Sequence, residues 1–187
     1  MTSLDLRNLV KKVKQGTLTD SDVRAVLKLE INEDNAYRII LILGHSGLSE
    51  VIPAIEAILL KSEDLDVKAK ALQYLLVHHK QVQWEWMLHE HLKGSPLDFG
   101  EELRFVAVST AGRLLSEKRD LQLLREVLNV FENTQDPIMK DASYDAILLA
   151  SGARKQDLPG LRFETTTEPS YDNEVIKKMQ KVAQGIH

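Results

Sequence analysis

The chain of 187 residues contains no cysteine. That excludes disulfides, thiolate zinc sites, iron–sulfur clusters and cysteine nucleophiles together. Aromatic residues make up only 5%, which disfavours a sheet protein. An excess of positive charge is also missing: 24 Lys and Arg stand against 28 Asp and Glu, for a net charge of −4. Such a chain lacks the basic field that non-specific nucleic-acid binding requires. Apolar runs such as Ile39–Leu43 stay far short of the roughly 20 residues of a membrane span. The first sixteen residues show spaced apolar positions and no continuous signal-peptide core. The expectation is a cytoplasmic protein that is not a membrane protein. At 43% apolar and 28% charged residues, the composition can bury a core.

Helical spacing dominates what is present. Leu6, Leu9, Val10 and Val13 fall at i, i+3, i+4 and i+7, with Ser3 as the expected N-cap and Gly16 just past the C-terminus. A second helix is expected from Ser21 or Asp22, carrying Val23, Val26 and Leu27. Beyond residue 33 four segments align: Asn35–Gly44, Val67–Leu76, Leu103–Gly112 and Met139–Leu148, with starts 32, 36 and 36 residues apart. Their second position is basic at Lys68, Arg104 and Lys140. Their fifth is small at Ala71, Ala107 and Ser143. Acidic residues precede the first three, at Asp34, Asp66 and Glu102.

This pattern resembles HEAT repeats, in particular the short HEAT-like repeats of phycobilisome lyases. There an acidic residue precedes a Val-Arg pair, followed by Ala and Ala-Leu-Gly. Leu43-Gly44 and Ala111-Gly112 keep part of the last element, whereas Tyr74-Leu75-Leu76 departs from it. The resemblance covers about residues 33–150. It implies an all-α fold, an α-solenoid of stacked antiparallel helix pairs. The expected organisation is an array over 1–156, with capping helices in 1–32. A connector and a C-terminal capping helix follow in 157–187, in the same domain. In that helix Val175, Ile176, Met179, Val182 and Ala183 face inward, with Lys177, Lys178 and Lys181 on the polar side.

Each repeat helix (A) needs an antiparallel partner (B). Leu48, Val51, Ile52 and Ile55 form the first apolar stripe. Steps of 36 residues give Trp84, Met87, Leu88 and His91, then Asp120, Leu123, Leu124 and Val127. The same register places Glu50, Trp86 and Gln122 on one row off the stripe, Pro53, His89 and Arg125 on a second, and Ala54, Glu90 and Glu126 on a third. The resemblance implies that B helices line the concave face. Trp86 is then an indole on a water-facing row, the residue type that anchors interfaces. Trp84 belongs to the stripe and is expected in the core.

The resulting expectation is a non-enzymatic protein-binding module. Its partner docks on Glu50, Trp86, His89, Glu90, Gln122, Arg125 and Glu126. A narrower form is an immunity or inhibitor protein for a basic bacterial toxin. The alternative implied by the resemblance is a bilin lyase-like or chaperone-like protein, contacting the chromophore through Trp84, Trp86 or His89. No cofactor and no metal are expected. His91 occupies a core position, His78 and His79 sit near a helix end, and only His89-Glu90 matches the His-Glu pairs with which HEAT-like deoxyhypusine hydroxylases bind iron. HEAT-like DNA glycosylases would need a basic groove, which Glu50, Glu90 and Glu126 oppose. Gly44-His45-Ser46-Gly47 does not match a nucleophile elbow; it reads as a turn between helices that accounts for both glycines.

Overall fold

The computed structural model describes residues 5–94, 101–158 and 171–186, with backbone only at 101 and 102. Among them every regular element is helical, and no helix is long and apolar enough to cross a membrane. They form two compact units, divided between Glu85 and Trp86.

In the first unit, α1 (Leu6–Gln15) starts from Asp5, whose carboxylate accepts from the Arg7 and Asn8 amides. Asp5 therefore takes the capping role expected of Ser3, which lies outside the described residues. Gly16 ends the helix at φ 67, as its position suggests. Helix α2 (Asp20–Val26) begins a residue or two earlier than expected because Thr19 and Asp22 form a reciprocal capping box. Lys12 bridges α1 to α2 through both Asp22 oxygens at 3.0 Å. Helix α3 (Glu33–Gly44) packs on α1, α2, α4 (Ile52–Lys61) and α5 (Leu65–Gln73), and α4 also packs on α5. After α5 the chain winds one turn of π-helix over Tyr74–His78.

In the second unit, α6 (Glu85–Lys93) leads to α7 (Glu101–Glu117), α8 (Leu121–Asn133) and α9 (Pro137–Ala150). Helices α7 and α9 lie against each other, and α8 packs on both. Asp120 is the N-cap of α8, which explains a polar residue on that stripe. The stripe itself sinks Leu123, Leu124, Val127, Leu128, Val130 and Phe131 into the core, each worth about 1.5–3 kcal/mol of burial. Helix α10 (Asn173–Ala183) buries Ile176, Met179 and Ala183 against α8 and α9, with its three lysines exposed. Two further contacts hold it: Arg125 donates from Nε to the Ala183 carbonyl at 2.7 Å, and Gln180 donates to Glu132. The connector expected over 162–170 lies outside the described residues.

The aligned segments occupy α3, α5 with its π turn, α7 and α9. Their fifth positions, Ile39, Ala71, Ala107 and Ser143, are all buried. Where its contacts are described, the basic second position reaches the preceding helix. Arg104 donates to the Leu92 carbonyl at the end of α6, and the Lys140 ammonium stands 5.4 Å from the Phe131 ring centre.

The tenth position has a distinct use. A Cβ on Gly44 would fall 2.2 Å from the Tyr74 ring, and one on Gly112 would fall 2.8 Å from the Ala146 Cα. Gly44 is therefore a close-approach residue inside a helix. The turn accounts at most for Gly47, around which a Cβ would meet nothing within 4 Å.

Candidate functional site

Helix α6 positions the central residue. Leu88 and Leu92 enter the core, and Trp86, out of phase with them, is 53% exposed. Trp84 departs from the stripe expected of it. It stands in a 3-10 turn, Val82–Trp84, and is only half-buried. The cause is polar: its indole N–H donates to Glu56 Oε1 on α4 at 2.9 Å, so the ring end must stay at the surface.

The second row and third row meet between α6 and α8. His89 Nδ1 stands 2.5 Å from Glu126 Oε2. A carboxylate oxygen only accepts, so Nδ1 carries the proton. Gln122 donates to the other Glu126 oxygen at 3.2 Å. His89, on the helix that carries Trp86, and Glu126 are half-buried, whereas Gln122 is exposed. Glu90, one turn beyond Trp86, is paired with Lys93 at 3.5 Å. Arg125 is engaged with the α10 terminus through Ala183. Glu50 belongs to the first unit, in a 3-10 turn over Ser49–Val51, where it accepts from Arg24 at 2.8 Å. Trp86 thus offers apolar surface, while each row carboxylate already has a partner.

A spacing of 37 residues, one more than the repeat, joins His89 to Glu126. Sequence reasoning put the two on neighbouring rows and missed the pairing. It also missed a cluster in the first unit. His45, Tyr74 and His78 bring their rings together, with centres 5.1 Å apart for His45–Tyr74 and Tyr74–His78 and 5.8 Å for His45–His78.

His91 is buried, as its stripe position suggests. Burial lowers its pKa below the usual 6.5, with Glu90 partly opposing, and burial likewise lowers His79. A histidine whose folded pKa is lowered binds protons more readily in the unfolded chain. Its favourable contribution is complete above about 6.5 and is lost as pH falls through the folded value. Denaturant midpoints should therefore drop between pH 7.5 and pH 5.5, and the drop should shrink in His79→Gln/His91→Gln protein. An unchanged midpoint across that window would contradict the assignment. Asp22 acts in a separate, more acidic window. Hydrogen bonds from Lys12 and Thr19 hold its carboxyl below the usual 3.8, so that contribution disappears only as pH falls through the lowered value.

What the described residues define is an all-helical protein in which neighbouring helices pack within each unit. No family model, no curated protein and no solved structure matches the chain.

Proposed function

We propose that the chain is a HEAT-like α-solenoid that works as a non-enzymatic protein-binding module, with Trp86 as the apolar anchor of the docked partner. The observation that carries this is the 53% exposure of an indole on a helix whose other large apolar residues are buried or half-buried. A large rigid ring with two side-chain torsions loses little entropy when covered, which is why Trp concentrates binding energy. The His89–Glu126 contact supports the role by tying the helix that carries Trp86 to α8. The common burial of the fifth repeat positions supports the stacked-pair architecture.

The net charge of −4 favours a basic partner through long-range steering, and an inhibitor of a basic toxin would fit that description. Local ion pairs at Glu50 and Glu90 already offset part of the row charge. Affinity is accordingly assigned to the anchor.

The test is affinity capture from the native host with wild-type, Trp86→Ala and Ile138→Ala proteins, the last altering another exposed apolar residue. The expected partner is retained by wild type and Ile138→Ala and lost with Trp86→Ala. With purified components, Trp86→Ala should weaken binding by about 2 kcal/mol. Equal affinity of a helical, folded Trp86→Ala protein would reject the proposal.

A further inference from the structure

The segment after α5 concentrates departures from regular helix. Residues Tyr74–His78 form a π turn, and Lys80 follows at φ 54, in the left-handed region. Both are unfavourable for ordinary residues and collect where function needs them. The Tyr74 ring is accommodated only because Gly44 has no Cβ. Here the rings of His45 and His78 both pack against that of Tyr74. Tyr74 is buried, whereas His45 and His78 are both exposed, so apolar burial does not account for the two imidazoles.

The His45 ring is oriented and its tautomer is set. Its Nδ1 lies 2.8 Å from the Leu41 carbonyl and 3.0 Å from the Tyr74 hydroxyl oxygen. A carbonyl only accepts, so Nδ1 holds the proton and, in the neutral ring, Nε2 presents the lone pair. A backbone carbonyl fixing Nδ1–H is the usual arrangement behind a metal-ligating histidine. A metal about 2.1 Å from a ring nitrogen lies roughly 3.2 Å from the ring centre, so two imidazoles sharing one ion have centres about 5–6 Å apart. The 5.8 Å between His45 and His78 falls within that span.

We propose that His45 and His78, both packed against the Tyr74 ring, form a two-imidazole site for a divalent transition-metal ion of the copper, nickel or zinc kind. Among the described residues no group of three or more His, Cys, Asp and Glu is placed to hold a metal ion, so the site rests on the two imidazoles alone. Water completes the coordination, and such an open site follows the general affinity order, copper(II) above nickel(II) and zinc(II). The site lies in the first unit and does not depend on the role assigned to Trp86.

The probe is copper(II) alone, titrated into tag-free full-length protein in a non-coordinating buffer. One equivalent should bind, with spectroscopic coupling to two imidazole nitrogens. His45→Gln and His78→Gln should each weaken binding at least tenfold and leave coupling to one nitrogen from this site. His187→Gln should bind as wild type does. Both histidines are exposed, so the variants keep the fold, and unchanged helicity checks this. No stoichiometric copper binding, or binding unaltered by both substitutions, would overturn the proposal.

Discussion

Ile39→Ala should cost about 2–5 kcal/mol of stability, the range for emptying a fully buried branched aliphatic site. The repeat pattern alone argues the opposite. Three of the four aligned segments carry Ala or Ser at this position, so alanine would bring the first segment into line with the others. The structure decides the sign. Ile39 is 0% exposed, within a helix packed on α1, α2, α4 and α5. Its volume fills space that α3 cannot close without moving four neighbours. Chemical denaturation with matched slopes would measure the loss. Stability within about 0.5 kcal/mol of wild type would mean that the site collapses around the smaller residue.

Gly112→Ala should destabilise the second unit by about 3 kcal/mol, the upper part of the range for overpacking. In an exposed helix the same change would stabilise by about 1 kcal/mol, because alanine restricts the unfolded backbone. Here the new methyl would stand 2.8 Å from the Ala146 Cα and 2.9 Å from its Cβ. Those atoms belong to α9 itself, so no rotamer change relieves the contact, and α7 and α9 must separate. Gly47→Ala provides the internal comparison, since a Cβ there meets nothing within 4 Å. It should be near neutral. Equal thermal midpoints for the two variants would show that the α7–α9 approach yields at little cost.

Much of the helical layout was legible because it depends on local periodicity. The spacing of Leu6, Leu9, Val10 and Val13 places α1, and the aligned segments fall on α3, α5, α7 and α9. Details that depend on hydrogen-bond choice were less so. Asp5 and Ser3 are both good caps, and only the backbone turn selects Asp5. Trp84 matched the apolar spacing, yet its indole N–H required a partner and found Glu56 on another helix. The exposure of Trp86 was readable because it follows from phase on one helix. The His89–Glu126 pair depends on the offset between two helices, which a fixed step of 36 does not capture. The His45–Tyr74–His78 cluster was least legible. Tyr74 and His78 stand one turn apart on one face, but His45 comes from the end of α3, and its approach to Tyr74 depends on how closely two helices pack, which periodicity within one helix does not carry.

The contact between Gly44 and Tyr74 constrains how this sequence can vary. A ring that lies where a methyl group would be ties the smallest side chain of one helix to a bulky one of the next. Neither position can change size alone without leaving a clash or a void, so the energetic effects of the two side chains are expected to be non-additive. Enlarging Gly44 becomes tolerable only once the Tyr74 ring is gone, so the order in which the two are replaced decides whether an intermediate carries a void or a collision.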